Sequence, residues 1–162
     1  MFNKNNIIYL DESGIDDNES YPYGWSKQGF RCHSTKSGKR TERVSFIGAL
    51  NQNHFIASMV FNGYCNRKVF EIYIERCLLP VLKKGQIVIA DNASFHKSIK
   101  AQELIESAGC ILKFLPPYSP DFNPIEHCWF HIKNNVRKLL DKGQNLFEAS
   151  CLSLKEMYES KC

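Results

Sequence analysis

The sequence predicts an α/β domain built on a five-stranded mixed sheet flanked by helices on both faces. Three observations carry this. Short β-rich apolar runs stand at 7–11, 44–51, 54–61, 86–90 and 110–115. No helical pattern separates the first three, whereas helical patterns separate the later ones, so hairpin pairing gives way to parallel crossovers. Two of the runs end in an aspartate: Ile7-Ile8-Tyr9-Leu10-Asp11 and Ile87-Val88-Ile89-Ala90-Asp91.

Taken in order, residues 7–11 read as a buried strand. Residues 14–43 read as irregular, punctuated by Gly14, Pro22, Gly24, Gly29 and Gly38. The runs at 44–51 and 54–61 form strands two and three, joined by a turn at Asn51-Gln52-Asn53. Asn66 caps a helix reaching about Lys84, with Pro80 bending it and Gly85 stopping it. Strand four, 86–90, is apolar after Gln86, as burial on both faces requires. A helix from Ser98 to Ala108 ends at Gly109 and leads into strand five. Asn123 is an apt N-cap for a helix to about Leu140, with Pro124 first and Glu126 third. A last helix spans about 145–158.

The 162 residues fit one domain, 1–162, long enough to bury roughly 70% of the unfolded surface. No run approaches the ~20 apolar residues of a membrane helix. The N-terminus lacks a signal-peptide pattern, which predicts a cytoplasmic chain. Seven cysteines, an odd number without a Cys-x-x-Cys pair, argue against a disulfide framework and for reduced thiols. Cys128 and His131 share a helix face, but no second ligand pair accompanies them as a zinc site needs.

Three acidic residues carry the chemistry: Asp11, Asp91 and Glu126. Neighbouring parallel strands bring their C-terminal ends together, where open α/β sheets build sites. At 100° per residue, Ile125, Trp129, Ile132, Val136 and Leu140 share the buried side of one helix. Glu126, Lys133 and Arg137 align on an adjacent side. Glu126 can then point toward the strand ends while Lys133 and Arg137 extend a positive track. All-oxygen ligands suit Mg²⁺ or Mn²⁺ rather than zinc. Two such ions flanked by cations are what metal-dependent phosphodiester chemistry uses. The net charge of +4 is modest, but Arg31, His33, Lys36, Lys39, Arg40 and Arg43 crowd one segment, as a polyanion partner favours.

Three blocks carry a family resemblance. They are Tyr9-Leu10-Asp11-Glu12-Ser13, Asp91-Asn92-Ala93-Ser94-Phe95-His96, and the long run from Leu115-Pro116-Pro117-Tyr118-Ser119-Pro120 to Asn123-Pro124-Ile125-Glu126. They resemble the catalytic blocks of DDE transposases, in the bacterial insertion-sequence branch related to mariner elements. The 34 residues between Asp91 and Glu126 match that group's spacing. Gly24-Trp25 and Phe46-Ile47-Gly48-Ala49-Leu50 are similar to further family features.

The resemblance implies a ribonuclease H-like fold, with Asp11, Asp91 and Glu126 holding two Mg²⁺ ions. It implies cut-and-paste transposition, in which hydrolysis frees a 3′-hydroxyl that attacks target DNA. It also implies a homodimer or larger assembly on paired DNA ends. Family members usually carry helix-turn-helix domains ahead of the catalytic core, and this core begins almost at Met1. The chain is therefore expected either to be the downstream product of a two-frame gene with an upstream helix-turn-helix partner or to be a remnant.

Among the neighbours, a strand turns Glu12 to the face opposite Asp11, which disfavours it as the ligand. Asp121 reads as a turn former. Trp129 reads as core. Lys36, Lys39, Arg40, Arg43, Asn92, His96, Lys133 and Arg137 are the candidate DNA contacts, with His96 equally suited to capping or packing. Two further readings compete with an active transposase core. One is a non-catalytic DNA-binding or assembly subunit, and the other a generic ribonuclease H-like nuclease.

Overall fold

A computed structural model of the chain describes residues 6–18, 42–116 and 123–159. Its centre is one five-stranded sheet, in the order β3-β2-β1-β4-β5. β1 (Ile7–Asp16), β2 (Arg43–Asn51) and β3 (His54–Asn62) form an antiparallel meander. β4 (Ile87–Ala90) adds in parallel to β1, and β5 (Ile111–Phe114) in parallel to β4. The sheet is therefore mixed, as the element order predicts.

β1 is longer than its apolar run. Gly14-Ile15-Asp16 falls in the stretch read from sequence as irregular, since Gly and Asp disfavour strands. Its ladder to β2 nonetheless continues from Tyr9↔Leu50 to Asp16↔Arg43, and pairing overrides propensity there. The turn between β2 and β3 uses left-handed Gln52 and Asn53, at φ 50 and 68, the conformation a tight hairpin needs.

Two apolar layers cover the sheet. On one face lie α1 (Arg67–Tyr73) and α2 (Ile99–Ser107). Phe70, Tyr73, Ala101 and Ile105 pack there against Ile8, Leu10, Val88 and Ala90. Asn66 caps α1, its Oδ1 accepting from the Val69 amide at 3.0 Å. The helix then widens into a π turn over Ile74–Leu78 and tightens into a 3-10 turn over Leu79–Val81. Pro80 accounts for this, because its ring and missing N–H cannot continue a regular α ladder. Ser98 caps α2 through the Ala101 amide, at 3.3 Å.

On the other face lie α3 (Ile125–Asp141) and α4 (Leu146–Glu159). Ile125, Trp129, Ile132 and Val136 are buried against Ile15, Val44, Phe46 and Leu50, the stripe that the 3.6 period marks. Leu140 is only half-buried. α3 starts one residue later than the sequence predicts. Pro124 stands at the cap position, making Glu126 the second helical residue. Asn123 is buried and its Oδ1 has no hydrogen-bond partner, so it does not cap α3 through its side chain.

Cys65, Cys77, Cys110 and Cys151 are free thiols, as expected. Cys128 is instead disulfide-bonded. That corrects the expectation of reduced thiols at this position. No helix among the described residues is long and apolar enough to cross a membrane.

Candidate active site

The parallel ladder of β1 and β4 runs Ile7↔Ile87, Ile8↔Val88, Tyr9↔Ile89. Asp11 and Asp91 each stand two residues beyond the last pair of that ladder. β4 ends at Ala90, so Asp91 lies just past a strand end. Asp11 does not; it sits within β1, where the chain continues to Asp16. The parallel pairing stops two residues short of both aspartates, although β1 itself continues.

Asp11 points to the α3 face and is 6% exposed. Its Oδ2 accepts a hydrogen bond from the Trp129 indole Nε1 at 3.1 Å. The ring of Trp129 stacks on Phe46 at 6.0 Å between centroids and meets Phe55 edge-on at 5.5 Å. Gly48 is the cross-strand partner of Asp11 on β2. A Cβ there would lie 2.4 Å from Phe55 Cε1 and 2.9 Å from Trp129 Cη2. The absence of a side chain at 48 is what lets the indole lie flat enough to reach Asp11. Trp129 is thus more than core, and nothing in the helix periodicity distinguishes it from Ile132.

The Asp11 carboxyl is pushed up to about 7. Burial contributes most, followed by the negative charges of Glu126 and then Glu12, with the indole bond pulling the other way. Glu126 is exposed in the first turn of α3, where the helix dipole favours a carboxylate. Asp11 and Glu126 therefore feel one another although they come from different layers. A buried acid held against like charges is an arrangement that a hard cation relieves.

Asp91 is differently placed. Its side chain is 45% exposed, and its Oδ1 is in contact with His96 Nδ1. The Ala93 amide donates to the same Oδ1 at 2.9 Å. Burial acts to raise the Asp91 carboxyl, but the bonds from His96 and Ala93 outweigh it and hold the group below its ordinary value. His96 itself is fully buried. Its Nε2 donates to Glu12 Oε2 at 2.7 Å. Burial alone lowers its basicity, yet the bonds to Asp91 and Glu12 lift it to about 9. The expectation that His96 touches DNA is thus corrected: a ring with no exposed surface, flanked by Phe70 and Phe95, has no access to a ligand. Glu12 points away from Asp11, as the strand alternation requires.

The remaining predicted contacts fall into three groups. Lys36, Lys39 and Arg40, with Asp121, lie outside the described residues. Arg43 is engaged within the fold, paired to Asp16 at 3.1 Å and stacked over Tyr64 at 4.5 Å. That pairing lies at the far end of β1 from Asp11. Asn92 is exposed beside Asp91. Lys133 and Arg137 are half-buried on the Glu126 flank of α3, and Arg137 donates to Asn134 Oδ1 at 3.1 Å. Phe130, 63% exposed, stands on the same flank.

The donor set fits hard divalent cations in charge and in atom type. Among the described residues, however, no group of three His, Cys, Asp or Glu side chains is drawn together closely enough to hold one ion.

Known proteins share this architecture. A family model described as DDE superfamily endonuclease matches residues 6–146. The Tcb2 transposase of Caenorhabditis briggsae is 30% identical over 84 residues, which is 49% of this chain and 31% of that protein. The Mos1 strand transfer complex superposes with a TM-score of 0.71 at 18% identity, covering 98% of this chain and 48% of that one. A Mos1 mariner paired-end complex with Mn gives 0.64 at 18% identity, covering 96% and 53%. The chain thus spans about a third of the curated relative and about half of the Mos1 chains. The sheet order and helix layers are those of the ribonuclease H-like cores of transposases and integrases. With most of its length matched by the family model, the chain belongs to the DDE superfamily endonucleases.

Proposed function

We propose that this domain cuts DNA strands and joins the freed 3′ end to a target, with Asp11, Asp91 and Glu126 as its metal-ligating carboxylates. One observation carries the reading. The β1–β4 pairing runs to Tyr9↔Ile89, two residues short of Asp11 and Asp91, and the Glu126 charge bears on the buried Asp11; together they support the reading. Asp11, Asp91 and Glu126 would hold Mg²⁺ or Mn²⁺, two per site in this reading, and the bound ions would supply Lewis acidity to the attacking and leaving oxygens. Trp129 orients Asp11, and His96 orients Asp91. Lys133 and Arg137 extend a cationic flank along which phosphates of bound DNA are held. Asn92, beside Asp91, is a candidate substrate contact, as are Lys36, Lys39 and Arg40.

We assign DNA ends and target as the substrates, and a homodimer or larger assembly as the working unit. The likeness to Mos1 strand transfer and paired-end complexes supports both. In the test, wild type nicks or joins end-bearing DNA only with Mg²⁺ or Mn²⁺. Asp91→Asn and Glu126→Gln each abolish that activity. Metal-dependent activity that survives both substitutions sinks the assignment.

A second reading has one observation in its favour. Trp129 and His96 each occupy an oxygen of an aspartate, and the described carboxylates are not gathered around one point. A non-catalytic assembly subunit retaining the fold has no need to gather them. Titration calorimetry with Mn²⁺, with and without DNA, separates the two, since only the catalytic reading requires binding.

A further inference from the structure

We propose that Glu12 and His96 form a buried positioning pair that fixes the Asp91 carboxylate for ligand duty. Resting on the metal-site reading above, this assigns a role to two residues that touch neither DNA nor metal. Four observations build it.

First, His96 bridges two carboxylates across the β1–β4 boundary: Nδ1 contacts Asp91 Oδ1, and Nε2 donates to Glu12 Oε2 at 2.7 Å. Second, the ring cannot turn away. It is fully buried, with Phe70 and Phe95 each 4.5 Å from its centroid. Third, both contacts to Asp91 from His96 and Ala93 fall on Oδ1. Oδ1 is thereby committed to the protein, on a side chain that is 45% exposed. Fourth, Asp11 and Glu12 are adjacent on β1 and face opposite sides of the sheet, so one dipeptide serves both aspartates. Asp11 enters the site itself, whereas Glu12 reaches behind it to His96. A short 3-10 turn, Ser94–Lys97, supplies the backbone that carries the imidazole back under Asp91.

The carboxylate that orients a histidine and the histidine that orients a ligand are familiar around metal sites, where losing such a partner weakens metal binding by about 10–100-fold. Here the order is carboxylate, imidazole, ligand carboxylate.

The experiment uses two isosteres that split the ring's two bonds. An asparagine at 96 places its amide nitrogen near Nδ1 and keeps the Asp91 bond. A glutamine places it near Nε2 and keeps only the Glu12 bond. Mn²⁺ affinity is read by titration calorimetry, with melting temperature recorded beside it and DNA cleavage as a second readout. We expect His96→Gln to weaken Mn²⁺ binding by about tenfold or more, with His96→Asn within about threefold of wild type at a similar melting temperature. Glu12→Gln should fall between them. If His96→Gln binds Mn²⁺ like wild type, or if the two variants lose affinity equally and in step with melting temperature, the positioning role is overturned and the metal site stands. If the wild-type chain binds no Mn²⁺, the metal-site reading falls and this proposal falls with it.

Discussion

Gly48 and Trp129 show how a single missing side chain shapes the acidic centre. The indole must pass over β2 to reach Asp11, and the position it passes carries no Cβ. Gly48→Ala forces Phe55 or Trp129 aside. We expect a loss of about 1–3 kcal/mol, typical of an overpacked core, with a change in the near-ultraviolet signal of the tryptophans. Denaturant unfolding that matches wild type, with that signal unchanged, refutes the close fit. Trp129→Phe keeps the ring stack but removes the indole donor from the buried Asp11 carboxyl, leaving it the Glu12 backbone bond. That costs about 1–3 kcal/mol and moves the Asp11 carboxyl further upward, since the indole bond pulls it down. The roles of these two residues were not legible in the chain. A Gly inside an apolar run and a Trp on a buried stripe both read as packing; only the β1–β2 register joins them to Asp11. The three carboxylates were legible, because each stands in a short unusual setting. The hydrogen bonds around them were not, since Trp129 lies 118 residues from Asp11 and His96 lies 84 from Glu12.

At the scale of the element, α3 is where sequence and structure agree most closely and where the chain divides its labour. Its period marks Ile125, Trp129, Ile132 and Val136 as buried, and they are. Long amphipathic helices are legible because their signal sums over many residues. Ends are harder: Asn123 has the right chemistry for a cap, but its side chain is buried at the sheet and the backbone turns in at Pro124. The length of β1 was missed for a related reason, because a ladder to β2 decides it rather than the residues themselves. The two flanks of α3 should separate by mutation. Ile132→Ala removes a fully buried side chain facing Val44 and Phe46 and is expected to cost about 2–5 kcal/mol. Lys133→Ala should leave stability within about 0.5 kcal/mol. It should also weaken DNA binding and reduce the slope of log affinity against log salt by about 1. An unchanged salt slope removes Lys133 from the DNA side.

Across the whole molecule, the charged groups at the sheet centre tie stability to pH in a definite direction. His96 holds its proton up to about 9 in the fold, against 6.5 ordinarily. Its stabilising contribution is therefore fully present below pH 6.5 and is lost as pH rises through 9. Asp11 keeps its proton to about 7 in the fold, whereas the unfolded chain releases it near 3.8. The folded state binds more protons between those values, so stability falls as pH rises from 3.8 to 7, and the cost is complete above that. Asp91 works in the opposite sense. Its carboxyl is held below 3.8, which adds stability above that pH and loses it only in stronger acid. Together these place the most stable range of the metal-free chain in mild acid, with two descending limbs toward alkali. Melting temperature measured in chelator from pH 4 to 9.5 should decline through both windows. Asp11→Asn should flatten the limb between about 4 and 7, and His96→Gln the limb between 6.5 and 9. A wild-type profile that is level from 6.5 to 9, or one in which His96→Gln keeps the full decline, contradicts a charged imidazole held between Glu12 and Asp91.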